Sequence, residues 1–224
     1  MLRRLLSWLG LSNGSTKQRE AVLKKARDFP TISSWELDPY HTQIRFRVMH
    51  MGLVEVVGRF RRFSGQVRGT SVDFNDLAVE VQIEVDSVET DMPARDAHLK
   101  GPDFFDAAQH PYITFRSTGV QWRPLKRFVL TGDLTIKGIT HRISLDGELK
   151  GLVLKDLVGQ PRASFALTAQ IDRRAWGLLW QAETADGSVV VDNLVTLDIE
   201  AEIATPGGYG GSSETFCRQM GATA

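Results

Sequence analysis

The densest grouping of side chains fit for proton or charge chemistry is Arg95-Asp96-Ala97-His98. Residues three apart are neighbours on a helix, so the Arg95 cation and the His98 base would lie side by side with an acid next to them. Two roles fit such a set: an acid–base site, or groups that satisfy one another at the ends of a structural helix. No nucleophile stands beside them, which favours the structural role, with Arg95, Asp96, His98 and Asp103 fixing a helical plug. His50 is the second candidate. It shares its parity with Ile44, Phe46 and Val48, so it points inward from a strand end. There it is either a hydrogen-bonded core histidine or a contact to a ligand's polar head.

Other enzyme signatures are missing. The chain has no Gly-x-Ser-x-Gly elbow, no phosphate-cradling loop with Lys-Ser or Lys-Thr, and no His-Glu-x-x-His. The five histidines are scattered, and none has zinc-like spacing to the single cysteine, Cys217. The expectation is a non-catalytic protein with no metal site and no cofactor. A formal net charge of zero argues against a surface built for nucleic acid.

The elements that would position these groups are strands. Leu77, Val79, Val81, Ile83 and Val85 alternate with Ala78, Glu80, Gln82, Glu84 and Asp86, giving one apolar and one charged face. The same period of two recurs around Ile44–Val48, Phe63–Val67, Ile113–Phe115, Phe128–Ile136, Ile143–Leu149, Phe165–Ile171 and Val195–Ile203. That makes eight strands, each with one wet face, and so an antiparallel sheet. Closure into a barrel would leave no exposed edge, although a two-layer sandwich fits the same alternation. The expected fold is all-β: an eight-stranded closed antiparallel barrel with a short helical plug between strands 3 and 4. Asp91 is a candidate cap for that helix, Pro93 fits its first turn, and Gly101-Pro102 stops it. Gly65, Gly132, Gly147, Ala163, Ala169 and Ala201 also face inward. They either leave room for a ligand or, at glycine, mark bends.

Composition divides the chain into a basic arm (1–30), a folded domain (31–204) and a Gly/Ser-rich tail (205–224). The arm holds seven basic residues against Glu20 and Asp28, and Leu2, Leu5, Leu6 and Leu9 fall on one helical face beside Trp8. This pattern suits peripheral membrane contact through residues 1–28, and equally docking on a partner or on the barrel itself. No apolar run is long enough to span a bilayer. The start resembles a signal peptide, but no small-residue cleavage site follows. The expected location is cytoplasmic and peripheral to the membrane, with the periplasm as the alternative.

The motifs together resemble the YceI-like family of polyisoprenoid-binding, lipocalin-like proteins. The resemblance spans about residues 35–204. It rests on Trp35-Glu-Leu-Asp38-Pro-Tyr-His41-Thr42, Phe46-x-Val48-x-His50, Gly58-Arg-Phe60 and Phe63-x-Gly65. Arg95-Asp96-x-His98-Leu99-x-x-x-Asp103-Phe104-Phe105 is the most specific piece, followed by Pro111-x-Ile113-x-Phe115-x-Ser117-Thr118, Gly132-x-Leu134-Thr135-Ile136-Lys137-Gly138 and Arg174-x-Trp176-Gly177. The family has His-Ser where this chain has His41-Thr42, which keeps a hydroxyl. The resemblance implies a barrel with an elongated apolar pocket, a long isoprenoid chain such as a polyprenyl phosphate or a quinone tail as ligand, and often a homodimer. The residues expected to touch the ligand are Phe46, Val48, His50, Phe63, Val81, Ile83, Phe104, Phe105, Phe115, Leu134, Phe165, Leu167, Trp176 and Leu197. The function expected is storage or transport of that lipid. The alternative is a packed interaction barrel acting through a protein partner.

Overall fold

The computed structural model describes residues 34–69 and 77–207. The basic arm, most of the tail and the link between the second and third staves lie outside the described residues. Eleven strands occur among those described: β1 (Ser34–Leu37), β2 (Gln43–His50), β3 (Val54–Phe60), β4 (Phe63–Arg68), β5 (Ala78–Glu84), β6 (Val88–Glu89), β7 (Tyr112–Trp122), β8 (Arg127–Ile136), β9 (Ile139–Val153), β10 (Arg162–Asp172) and β11 (Val191–Ala204). They build eight staves, because β1 and β2, β3 and β4, and β5 and β6 are halves of three bent ones. β2 pairs with β3 while β1 pairs with β4, and β3 pairs with β6 while β4 pairs with β5. The ring closes where β11, paired along one edge with β10, meets β2 and then β1 along the other. All pairings are antiparallel, so the result is an up-and-down barrel, not a sandwich, and no stave is left as an edge.

Alternation decides which face is inside. β8 is the clearest case: Phe128, Leu130, Gly132, Leu134 and Ile136 are buried and the residues alternating with them are not. Its turn into β9 uses two residues with positive φ, Lys137 and Gly138, the left-handed pair that matches a hairpin's twist.

The three bends were not expected, and each has a local polar cause. Between β1 and β2, the Asp38 carboxylate accepts the Tyr40 and His41 N–H groups and turns the chain. The break at Arg61–Arg62 faces the 3₁₀ turn Val85–Ser87, and the Ser87 hydroxyl donates to the Glu84 carbonyl at 2.6 Å. Arg61 N–H in turn donates to the Ser87 carbonyl.

Among the described residues one α-helix, α1 (Pro93–Lys100), lies between the third and fourth staves. Its N-cap is Met92 and not Asp91, with no side-chain cap bond. Asp91 instead takes a left-handed φ of 61° and pairs with Arg59 at 3.3 Å. Pro93 occupies the first turn and Gly101 follows the last, as the sequence predicts.

Candidate functional site

The inward residues enclose a cavity of about 380 Å³ running along the barrel axis, within the range of small-molecule sites. Its lower end is closed by aromatic packing: Trp122 on Phe128 with centroids 4.7 Å apart, and Phe128 edge-on to Phe165 at 5.9 Å. Its upper end is covered by α1 and the chain after it. Leu99, Phe104 and Phe105 line the cavity there, and Phe105 packs on Phe60 at 5.8 Å. Trp180, from the β10–β11 connection, meets His98 at 5.0 Å and Phe104 at 5.3 Å.

Several inward side chains are not fully buried. Val79, Val81, Val195, Leu197 and Ile199 line the cavity and remain only partly covered. In a close-packed core such residues would be sealed by neighbours, because protein interiors leave few voids larger than a water. The barrel is therefore not filled by its own side chains.

The inward glycines do not create this room. A Cβ on Gly132 would fall 2.4 Å from Phe115 Cζ, one on Gly147 2.3 Å from Phe128 Cζ, and one on Gly65 2.5 Å from Leu37 Cδ1. Their missing side chains are already occupied by the side chains of adjacent strands, and Ala163 is buried in the core. Of the two readings left open for the glycines, ligand volume is thereby excluded; among the small inward residues Ala201 does line the cavity. The space lies on the axis, because eight staves hold their walls further apart than the inward side chains reach.

Twelve of the expected contact residues line the cavity: Phe46, Val48, His50, Val81, Ile83, Phe104, Phe105, Phe115, Leu134, Phe165, Leu167 and Leu197. Phe63 and Trp176 do not. Phe63 packs between the two halves of the core. Trp176 sits in the 3₁₀ turn Arg173–Trp176, 3% exposed, and its indole N–H donates to the Leu134 carbonyl at 3.0 Å. It latches that turn to β8 and lies outside the cavity.

The plug is held as a set of local bonds. Asp96 Oδ1 accepts the Thr90 N–H at 2.8 Å and the Thr90 hydroxyl. Arg95 donates from Nε to Thr90 Oγ1 at 2.8 Å and from Nη2 to the Thr90 carbonyl at 2.7 Å. His98 Nε2 meets Asp103 Oδ2 at 3.0 Å. Buried Thr90 is the common anchor, tying α1 to the end of the third stave.

Polar cavity residues cluster at this covered end: His50, Thr90, Arg95, His98 and Arg173. His50 Nδ1 lies 2.9 Å from the Val190 carbonyl. A carbonyl only accepts, so Nδ1 carries the proton and Nε2 is left for another partner. Arg173 is 4% exposed. Its guanidinium donates to the carbonyls of Asp192, Leu178 and Val191 and to Asn193 Oδ1. Burial pushes its pKa below the usual arginine value, though a guanidinium stays charged at any ordinary pH. Sequence reasoning missed Arg173, yet it continues the inward parity of Leu167, Ala169 and Ile171 by one step. A charge at an apolar-facing position was the available signal.

The opposite end holds a charge cluster outside the cavity. Arg162 Nη1 contacts Asp38 Oδ2 at 2.6 Å and Glu202 Oε1 at 2.7 Å, and Nε contacts Asp156 Oδ2 at 2.7 Å. Asp38, His41 and Glu202 bring ligand atoms within 4.8 Å of one another. The guanidinium already supplies the positive charge those carboxylates need. Burial alone would raise the Asp38 carboxyl, but hydrogen bonds from His41, Tyr40 N–H and Arg162 outweigh it and hold the pKa below its ordinary value.

A match to the YceI-like domain covers residues 35–203, and the chain belongs to that family. Its relatives include a UPF0312 protein of Staphylococcus epidermidis, 28% identical over 77% of this chain and 98% of its own length. A Staphylococcus aureus UPF0312 protein is 30% identical over the same shares. Among solved structures, the YceI protein of Campylobacter jejuni matches with a TM-score of 0.59 at 27% identity, over 70% of this chain and 88% of that one. Two more distant neighbours share the fold: BcnA of Burkholderia cenocepacia (TM-score 0.63, 21% identity, 74% and 98% covered) and a polyisoprenoid binding domain from Saccharophagus degradans (TM-score 0.59, 15% identity, 78% and 100% covered).

Proposed function

We propose that this barrel binds a long-chain amphiphile, an isoprenoid foremost, and holds it for storage or transport without converting it chemically. The observation that carries this reading is the axial cavity, walled almost throughout by inward aliphatic and phenyl side chains, several of which stay partly uncovered. Each methylene-sized group moved from water into such a wall gains about 0.8 kcal/mol, so ten give roughly 8 kcal/mol. That exceeds the several kcal/mol lost on association, and micromolar binding needs no strong polar contact. The same fold in the S. degradans domain is described as polyisoprenoid binding, which guides the choice of probe. Non-catalytic binding accords with a polar set engaged in structural bonds, Arg95 and Asp96 to Thr90, His50 to the Val190 carbonyl and Arg173 to the carbonyls around it.

The test is to fill the cavity. Val81 lies on β5, inward and partly uncovered. Val81→Trp should remove binding of geranylgeraniol while costing less than about 1 kcal/mol of stability. If the interior were packed, the added bulk would cost about 1–3 kcal/mol through strain. Unchanged binding, or that larger loss, would contradict the reading.

A further inference from the structure

Two covers lie over the upper end of the cavity, and they are attached very differently. The first, α1, is tied down by the Arg95 and Asp96 bonds to Thr90 and by Lys100 to Asp86 at 3.3 Å. The chain after it is held by Lys137 Nζ, which donates to the Pro102 carbonyl at 2.8 Å. The second cover is residues 179–189 of the β10–β11 connection, which carry Trp180 across to the plug. Here the hydrogen bonds are internal. Thr184 N–H donates to the Ser188 carbonyl, Gly187 N–H to the Thr184 carbonyl and Val190 N–H to the Ala182 carbonyl, each at 2.9 Å. Glu183 and Val189 form an isolated antiparallel bridge. Among the described residues, no hydrogen bond from 179–189 reaches past the feet at Val190 and Val191.

The feet themselves are fixed. Buried Arg173 donates to the Leu178 carbonyl at one foot and to the Val191 and Asp192 carbonyls at the other. The Val190 carbonyl accepts from Met51 N–H at 3.1 Å and lies 2.9 Å from His50 Nδ1. Between those feet no residue is buried, and Leu179, next to Trp180, is 66% exposed. The contact with the plug is made by Trp180, edge-on to His98 and tilted on Phe104. Its receiving surface is held in place, because His98 is paired with Asp103 and Phe104 is buried. Aromatic contacts of this kind are weaker than the hydrogen bonds to charged groups that hold α1. A segment bonded mainly to itself, on fixed feet, is the part of the cover that opens most readily as a unit.

We propose that residues 179–189 form a hinged strap that gates the cavity, with Trp180 as the clasp that closes it on His98 and Phe104. Opening the strap uncovers the mouth while α1 and the barrel wall stay in place. The inference rests on the lipid-binding reading above and adds the route by which the ligand comes and goes.

The experiment follows radiolabelled geranylgeraniol on the full chain, measuring uptake after mixing and release into excess unlabelled alcohol. Trp180→Ala should speed release by roughly fivefold or more and uptake by roughly threefold or more, because a gate hinders both directions. A Trp180 that merely lines the wall would speed release alone, leave uptake unchanged and overturn the gate. The converse variant shuts the strap. His98→Cys with Trp180→Cys, in a Cys217→Ser background, is joined by a short bismaleimide after loading. Joining should slow release by roughly tenfold or more against the same protein capped with N-ethylmaleimide, which adds bulk without a tether. Equal release from the joined and capped forms would place the exit elsewhere and overturn the proposal while leaving lipid binding intact. Failure of the unaltered protein to bind geranylgeraniol would remove the lipid reading and this inference with it.

Discussion

The ring of Phe128 lies over Gly147, its direct partner across the β8–β9 ladder, and fills the space a side chain there would take. Phe46 and Gly58 repeat the arrangement across β2 and β3, where a Cβ would sit 2.2 Å from Phe46 Cζ. An aromatic ring over a glycine covers exposed backbone and lets a stave curve, both useful in a small closed barrel. It also keeps large rings flat against the wall and out of the axis, where a ligand chain would run.

Gly147→Ala should therefore destabilise the barrel by about 1–3 kcal/mol through overpacking against buried Phe128. Combining it with Phe128→Leu should give a double variant less destabilised than the sum of the two single changes. Urea unfolding midpoints measure this. Simple additivity would mean that ring and glycine do not depend on one another.

The cluster at the far end sets the acid limit. Arg162→Met leaves the Asp38 carboxylate buried without the buried cation that pairs with it, and should cost about 3–5 kcal/mol. Asp38, held below its ordinary pKa, belongs with Glu89 and Asp172, both lowered to about 2 by arginine partners. A carboxyl whose folded pKa lies below its unfolded value stabilises fully above the unfolded value, near 4, and loses that contribution as pH falls through the folded one. The melting temperature should thus hold from pH 7 to 5 and drop between about pH 4 and 2. A flat profile across that window would contradict the assigned pairing.

The plug depends on Thr90 and Asp96. Asp96→Ala leaves the Thr90 N–H and hydroxyl without their acceptor, and hydrogen bonds to a charged group are worth about 1.5–3 kcal/mol. The variant should lower the melting temperature and speed hydrogen exchange in α1 while sparing β8 and β9. Unchanged protection of α1 would show that the helix is held by its apolar contacts alone.

Alternation with period two was enough to read the eight staves and their inward faces, because a strand's geometry projects directly onto sequence. It did not show β1, β3 and β6 of the three bent staves, and the plug was read from Pro93 and Gly101-Pro102. The bends at Asp38, Arg61 and Val85 left no such trace. They depend on hydrogen bonds made at the bends themselves, such as Asp38 to the Tyr40 and His41 N–H groups and Ser87 to the Glu84 carbonyl, which leave the alternation on either side intact. Parity also says which way a side chain points but not how deep it lies, so Phe63 reads as a cavity residue although it packs between two core clusters. Trp176 stands at the end of the 3₁₀ turn that opens at Arg173, so the parity of β10 no longer reaches it. Sequence left the glycines open between ligand volume and bends, because the side chain that occupies their space comes from the next strand.

The arm of residues 1–28 carries an excess of five positive charges beside a leucine stripe. We propose that it brings the barrel to an anionic membrane on the cytoplasmic side. Each Lys or Arg near such a surface contributes about 1 kcal/mol. The full chain should co-sediment with anionic vesicles and a version beginning at Thr31 should not, with the difference vanishing in molar salt. Equal pelleting of the two would remove the membrane role.

Native mass spectrometry of the gently purified full chain, followed by solvent extraction, tests the central claim most directly. The account predicts a one-to-one adduct whose extract is a single-tailed, long-chain amphiphile, present on the unaltered protein and missing from Val81→Trp. A chain at its bare mass that also fails to take up offered geranylgeranyl phosphate would contradict it.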